Sequence, residues 1–150
     1  MPLLIVPLLI VLDQTLKTWA VAHLVPGVSQ KLLPGIDLTL VYNSGAAFGL
    51  FPGMAGWLSW VSLAVGFGLL YYLGTHKLTR LSQLAFSLIA AGALGNAIDR
   101  IGRGSVVDYL DLGTNIALIR NFAVFNLADS SVVVGVLLLI LFPGRRKRWL

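Results

Sequence analysis

The chain has 150 residues, of which 57% are hydrophobic and only 11% are charged, and its formal net charge is +5. A soluble domain of this length cannot bury so much apolar surface, because a small domain has a high ratio of surface to volume. The chain contains no Cys, which excludes a structural disulfide, a thiol nucleophile and a metal site built from thiolates. The composition therefore predicts an integral membrane protein.

Four apolar segments predict a membrane all-α fold with four transmembrane helices. They cover about 2–24, 55–74, 82–98 and 122–142. At about 1.5 Å of rise per residue, the fourth segment is long enough to cross a hydrocarbon core of roughly 30 Å. These segments take up most of the chain, so we predict one integral-membrane domain over residues 1–150.

The first segment, 2–24, ends near a small-residue triplet at 20–22 that imitates a signal-peptide cleavage site. No basic residue precedes its apolar stretch, and Asp13 and Lys17 interrupt it, so we predict a retained span. These two residues lie four apart with the acid first, a spacing at which helical side chains pair. Charged groups in a span avoid lipid, so the pair should face the bundle interior. Whether the pair is structural or acts directly in a site stays open.

The segment 25–54, between the first two spans, has a different pattern. Residues 36–42 are β-prone and partly alternate between apolar and polar side chains. A turn rich in Gly and Ala follows at 43–49. We predict a small extracytoplasmic β-sheet or flap that lies on the membrane surface and can close over a site.

Small residues recur at every fourth position of the third span, at Ser87, Ala91 and Gly95, with Gly92 beside them. A stripe of this kind lets two helices approach closely, so it predicts helix packing.

Polar residues follow at the end of the third span. Asn96 and Arg100 share a helical face, and Asp99 can reach Arg103 at the same spacing. One interpretation is a salt bridge at the helix end. The other is a substrate clamp made from an amide, a carboxylate and a guanidinium, and the spacing does not choose between them.

Two aspartates near one membrane face indicate chemistry. Asp129 lies about a third of the way into the fourth apolar segment, and Asp108 lies upstream of it. An ionised carboxylate within a span costs roughly 3 kcal/mol or more, so it usually faces protein or water and has a function. Asn126 is suited to cap a helix that begins there, and the dipole of that helix helps Asp129 to carry charge. Asp111 competes with Asp108, and spacing alone does not select either.

Four cations at 145–148 follow the last apolar segment. Such a tail is typical of a cytoplasmic anchor on anionic lipid, whereas a nucleic-acid site needs a broader basic or aromatic surface. An even number of spans places both termini on one side of the membrane. We therefore predict that both termini are cytoplasmic, and we expect no nucleic-acid partner.

Five short motifs are spread in order over most of the chain. They are Asp13 to Lys17 (DQTLK), Asn43 to Gly49 (NSGAAFG), Gly92 to Arg100 (GALGNAIDR), Gly104 to Tyr109 (GSVVDY) and Phe125 to Ser130 (FNLADS). Together they resemble the lipoprotein signal peptidase family, the type II signal peptidases of bacteria.

This resemblance implies an intramembrane aspartic protease of the bacterial cytoplasmic (inner) membrane, with its active site near the outer face. Such enzymes remove the signal peptide from a prolipoprotein, cutting just before a Cys that carries diacylglycerol. The implied catalytic pair is Asp108 and Asp129, and the motif match thereby selects Asp108 over Asp111. The implied substrate-binding or supporting residues are Asn43, Asn96, Asp99, Arg100 and Asn126, with Asp13 and Lys17 as structural polar residues.

The same resemblance implies the partners: a diacylglyceryl-modified prolipoprotein, membrane lipid and the peptide inhibitor globomycin. We expect no cofactor and a monomeric protein. His23 and His76 lack the Glu of a zinc-protease motif, so we also expect no metal. Two close carboxyls share one proton, so the ionised partner can activate water while the protonated partner donates.

The residues by themselves also fit a small four-helix transporter that is coupled to protons or cations. A lipid-binding or scaffold protein is a further alternative, although it leaves the two aspartates without a chemical purpose. The position of the acids at one face and the absence of a symmetric pairing of spans disfavour the transporter.

Overall fold

The structure is a computed structural model that describes residues 2–45, 53–113 and 122–142. Within these ranges the chain forms four helices and three strands. The helices are α1 (Pro2–His23), α2 (Ala55–Thr75), α3 (Arg80–Arg103) and α4 (Leu127–Leu141), and the strands are β1 (Ser29–Leu33), β2 (Ile36–Asn43) and β3 (Val106–Asp111). The predicted number of helices is confirmed. The basic tail at 145–148 and most of the turn at 43–49 lie outside the described residues.

Three of the described helices are long and apolar enough to cross a membrane: Leu4–His23, Ala55–Thr75 and Arg80–Arg103. Many large apolar side chains of α2, such as Trp60 and Tyr71, point outward and are more than 70% exposed. Exposure of that kind is expected where lipid rather than water surrounds a helix.

The third span is longer than the predicted segment 82–98. It begins at Arg80, because the hydroxyl of Thr79 accepts a 3.2 Å hydrogen bond from the backbone N–H of Ser82. It continues to Arg103 and ends at Gly104, whose φ of 76° suits a glycine at a helix end. Near this end, Asp99 forms salt bridges with Arg103 and Lys17, and Arg100 donates hydrogen bonds to Gly45 and Ser62.

The fourth helix is shorter than the predicted span, with 15 residues that begin at Leu127 rather than near residue 122, and it is not among the three helices long enough to cross a membrane. Before the helix, Phe125 pairs with Leu110 of β3 through backbone hydrogen bonds of 2.8 and 2.9 Å. Asn126 then caps the helix, as the sequence suggested. Asp129 consequently lies in the first turn of α4 and not a third of the way along a span.

The three strands form an antiparallel sheet in the order β1-β2-β3. The predicted small sheet is confirmed, but its third strand comes from the segment after α3 and not from residues 25–54. Val41 of β2 is the register partner of Asp108. The sheet packs on the end of α1 through a cluster of buried residues: Ala20, Leu24, Leu40, Val107 and Tyr109.

Helix α3 is the centre of the bundle and contacts the other three helices. The predicted packing stripe is confirmed, since Ser87, Ala91 and Gly95 are all buried. Gly92 lets α4 approach so closely that a Cβ atom at this position would collide with the backbone carbonyl of Ala128. Close contact between α3 and α4 is what brings the polar end of α3 next to the first turn of α4.

Candidate active site

Asp108 and Asp129 line one cavity of about 480 Å³. Asp108 lies on β3 and is only 2% exposed, whereas Asp129 lies in the first turn of α4 and is half-buried. The structure therefore brings together the two acids that the sequence singled out. Asn43, Asn96 and Arg100 line the same cavity.

Asn126 connects the two acids, although it does not line the cavity. Its side-chain Nδ2 donates a 2.7 Å hydrogen bond to Oδ1 of Asp108, and its Oδ1 accepts a 2.9 Å hydrogen bond from the backbone N–H of Asp129. In return, Oδ2 of Asp129 accepts from the backbone N–H of Asn126 at 3.3 Å, which completes a capping box. The local motif that starts α4 is thus also part of the site.

The remaining carboxylate oxygens accept hydrogen bonds from two other asparagines. Asn43 donates to Oδ2 of Asp108 at 3.2 Å, and Asn96 donates to Oδ1 of Asp129 at 2.8 Å. The carbonyl oxygen of Asn43 accepts from the backbone N–H of Gly45, so its amide group points towards Asp108. Every carboxylate oxygen of the pair therefore accepts a hydrogen bond from an N–H group.

Asp108 holds its proton more tightly than an ordinary carboxyl group. Burial raises the pKa of Asp108 to about 7, and the neighbouring charge of Asp129 adds to the rise. Hydrogen bonds from Asn43 and Asn126 and the charge of Lys17 act in the opposite direction. Two close carboxyls with unequal surroundings can hold one shared proton near neutral pH.

The sequence left two roles open for the polar end of α3, a salt bridge and a substrate clamp, and the structure shows residues suited to each. Arg100 points into the cavity region, where Nη2 donates to the carbonyl of Gly45 at 3.1 Å and Nη1 donates to Ser62 at 3.4 Å. Asp99 instead forms a salt bridge to Arg103 of 2.6 Å and does not line the cavity. Arg100 is therefore positioned to contact a ligand, and Asp99 is positioned to hold structure.

Asp13 and Lys17 face the bundle interior, as predicted. They form an ion pair of 2.8 Å, and Lys17 is fully buried while Asp13 is 2% exposed. Lys17 also reaches the site indirectly, because its Nζ donates a 2.9 Å hydrogen bond to Oδ1 of Asn96.

Asp111 lies outside the site. Its carboxylate accepts a 3.0 Å hydrogen bond from the hydroxyl of Thr39, and its register partner on β2 is Asp37. It does not line the cavity with Asp108. Residues three apart on a strand point to opposite faces, so strand geometry by itself places Asp108 and Asp111 on different sides of β3.

Sequence reasoning missed the apolar wall of the cavity. It includes residues from β3 and the position after it, from the segment before α4 and from one side of α4: Val106, Leu112, Phe122, Ala123, Val124, Phe125, Val132, Val133 and Val134. Val106 could have been found, because it lies two positions before Asp108 and so shares its strand face. The others depend on how the segment before α4 folds back on the sheet.

Comparisons with known proteins agree on one family. The family model for signal peptidase (SPase) II matches residues 5–143. A lipoprotein signal peptidase from Synechocystis is 44% identical over 133 residues, which cover 87% of this chain and 80% of that protein. One from Gloeobacter violaceus is 47% identical over 137 residues, which cover 89% of this chain and 76% of that protein.

Solved structures show the same fold. A bacterial membrane enzyme determined by the in meso method at 2.3 Å resolution matches with a TM-score of 0.84 and 31% identity. The match covers 99% of this chain and 93% of the solved chain. Given the family model, the relatives and the shared fold, the chain belongs to the signal peptidase II family.

Proposed function

We propose that this protein is an aspartic endopeptidase that removes signal peptides from prolipoproteins. The family membership supports peptidase activity and signal-peptide removal. The observation that supports the aspartic mechanism is the pair formed by Asp108 and Asp129. Both acids line one cavity, and Asn126 behind them forms hydrogen bonds with the side chain of Asp108 and the backbone of Asp129.

In the proposed reaction, a water molecule lies between the two carboxyl groups and next to the scissile carbonyl. Asp129 is the ionised partner in this scheme, because it lies in the first turn of α4, where the helix dipole favours a negative charge. It accepts a proton as the water oxygen attacks the carbonyl carbon. Asp108, whose raised pKa lets it keep a proton near pH 7, donates that proton to the carbonyl oxygen. When the C–N bond then breaks, Asp129 passes the proton taken from water to the leaving amine, and Asp108 regains its proton from the hydroxyl group of the tetrahedral intermediate as the carbonyl reforms.

The remaining cavity residues would hold the substrate. Arg100 and Asn43 present N–H groups near the acids and can donate to peptide or ester carbonyls. The apolar wall on one side of α4 is suited to hydrocarbon. This combination supports a peptide whose Cys, on the product side of the cut, carries diacylglycerol with its acyl chains in the bilayer.

We further propose the orientation of the protein in the bacterial inner membrane. The carboxyl ends of α1 and α3, the amino end of α4 and the sheet all lie at the same end of the bundle. That end would be the extracytoplasmic one, with both termini in the cytoplasm and the turn at 43–49 as a flap. The chain would be one monomeric membrane domain.

We also propose that catalysis needs no metal ion or cofactor. All four carboxylate oxygens of the pair accept hydrogen bonds from N–H groups. An amide nitrogen is a donor and a poor metal ligand, so these surroundings are better suited to a proton than to a cation. The comparisons give no support to the alternative of a transporter.

The test is a cleavage assay with purified protein in detergent or lipid. The substrate is a prolipoprotein whose Cys carries diacylglycerol, and the matched control is the same prolipoprotein without lipid. We expect cleavage immediately before the modified Cys, seen by mass spectrometry, and inhibition by globomycin. A lack of cleavage, or equal cleavage of the unmodified control, would contradict the proposed substrate.

A further inference from the structure

Lys17 lies at the centre of a buried polar cluster between the carboxyl-terminal parts of α1 and α3. Its side chain is fully buried, and its Nζ lies 2.8 Å from Asp13 and 2.9 Å from Asp99. The third contact is the hydrogen bond of 2.9 Å to Oδ1 of Asn96. An ammonium group has three N–H donors, so all three have an acceptor.

One arm of this cluster reaches β3. Oδ2 of Asp99, the oxygen that contacts Lys17, also accepts a 3.2 Å hydrogen bond from the backbone N–H of Val107. Val107 is the residue immediately before Asp108. The contact therefore ties the backbone that carries the first acid of the pair to α3.

A second arm reaches α4 in the same way. Oδ1 of Asp13 accepts a 3.1 Å hydrogen bond from the backbone N–H of Ala128, while its Oδ2 contacts Lys17. Ala128 is the residue immediately before Asp129. The two carboxylates that bind Lys17 thus hold the residues that precede the two proposed catalytic aspartates.

The third arm fixes an amide group. Because Oδ1 of Asn96 accepts from Lys17, its Nδ2 is turned towards Asp129, to which it donates at 2.8 Å. The reverse orientation would place an NH₂ group against the ammonium, where both groups are donors. Lys17 therefore helps to fix which atom of Asn96 faces the carboxylate, together with Asn126, whose Nδ2 donates to the same Oδ1 at 3.2 Å.

Stability alone does not explain this arrangement. Buried ion pairs cost much of their attraction in desolvation, so they are weak contributors to folding. Lys17 and Asp13 also do not line the cavity, and no residue of α1 does so among the residues the structure describes. Yet Lys17 of α1 contacts both Asp99 and Asp13, which hold the residues immediately before the two aspartates.

We propose that Lys17 is a positioning residue that sets the placement of Asp108 relative to Asp129 and that acts through its contacts with Asp13, Asp99 and Asn96. This inference rests on the proposed function of the two aspartates. The charged groups that act on the pair are Lys17 from α1 and Arg100 from α3. Asp13 and Asp99 lie against Lys17 on the other side of the cluster.

The main test is Lys17→Met, which keeps an unbranched side chain one heavy atom shorter than Lys but removes its charge and its donors. Misplacement of the acids by as little as about 1 Å should lower kcat roughly 100-fold. KM should change little, because Lys17 does not line the cavity. The alkaline limb of the pH–rate profile should also move to higher pH, since the charge of Lys17 favours the ionised form of Asp108.

The matched control is Val6→Ala, which removes packing from the same helix without touching the polar cluster. This variant should lower the melting temperature but keep kcat and the pH profile of the wild type. An unchanged kcat and pH profile in Lys17→Met would overturn the proposal. So would a loss of kcat in Val6→Ala equal to that in Lys17→Met at a similar melting temperature.

If Lys17→Met does not fold, Asp13→Asn is the variant that tests the proposed positioning role of Lys17. The amide keeps the shape and can still accept from Ala128, but it loses the charge that holds Lys17. We expect roughly a 10-fold lower kcat with an unchanged KM, and an unchanged kcat would overturn the proposal. Failure of the proposed function is recognised separately, because then Asp108→Asn would retain the activity of the wild type.

Discussion

Asn126 donates a 2.7 Å hydrogen bond from its side-chain Nδ2 to Oδ1 of Asp108. The carbonyl oxygen of the same side chain caps α4, the helix that carries Asp129. One amide therefore fixes the start of a helix and at the same time joins that helix to the strand that supplies the other acid. The placement of the proposed dyad therefore depends on one side chain that is both the N-cap of α4 and a hydrogen-bond donor to Asp108.

Removal of either carboxyl group of the dyad should abolish cleavage. We expect Asp108→Asn and Asp129→Asn each to lower kcat by at least about 10²-fold, because one carboxyl cannot serve as both acid and base. The measurement is cleavage of lipid-modified prolipoprotein by folded, purified variants. Asp111→Asn is the matched control and should keep most of the activity, since Asp111 contacts Thr39 outside the cavity. Appreciable activity in either dyad variant would refute the assignment.

The rate should fall as the pH rises through about 7. Burial and the charge of Asp129 raise the pKa of Asp108 to about 7, so its proton is present below that pH and is lost above it. The proposed mechanism needs this proton for the carbonyl oxygen, so kcat should decrease with pH on the alkaline side. The measurement is kcat between pH 5 and pH 9, roughly the range in which the pair titrates. A rate that rises between pH 7 and pH 9 would be inconsistent with Asp108 as the acid.

Two substitutions at Asn126 should separate its structural role from its role in the site. Asn126→Ala removes the cap and should cost about 1 kcal/mol of stability as well as activity. Asn126→Ser keeps a side-chain acceptor for the backbone N–H of Asp129 but loses the donor to Asp108. We expect the Ser variant to melt closer to the wild type and still to be strongly impaired in cleavage. Full activity in Asn126→Ser would show that the bridge to Asp108 is dispensable.

Gly92→Ala should push α4 away from α3. The added Cβ would collide with the carbonyl of Ala128, and overpacking of this kind typically costs about 1–3 kcal/mol. Because Ala128 immediately precedes Asp129, activity should fall together with the melting temperature. The control is Gly102→Ala in the same helix, where a Cβ meets nothing within 4 Å. That variant should be as stable as the wild type or more stable, by up to about 1 kcal/mol.

Activity should survive treatment with a strong chelator followed by desalting. The proposed chemistry uses two carboxyls whose oxygens accept hydrogen bonds from N–H groups, and it has no step for a cation. The measurement compares cleavage rates before and after treatment, with a zinc protease as the positive control for chelation. A loss of activity that one divalent ion restores would contradict a metal-free mechanism.

The features that could be read from the sequence are those that depend on neighbours along the chain. The pairing of Asp13 with Lys17, the reach of Asp99 to Arg103 and the cap at Asn126 all follow from helical spacing, and the structure confirms them. The number of helices follows from the apolar segments, and three of these helices are long and apolar enough to cross a membrane. The family motifs identified Asp108 and Asp129, which the structure brings to one cavity.

The features that needed the tertiary structure depend on residues far apart in the chain. The segment before α4 looked like part of a span because it is apolar, but its backbone pairs with β3, and this shortens the helix and moves Asp129 to its first turn. Likewise, no spacing rule relates Lys17 to the backbone N–H groups before the two aspartates. Local periodicity reports which face of an element a residue occupies, whereas only the packing of α1, α3, α4 and β3 determines which faces meet.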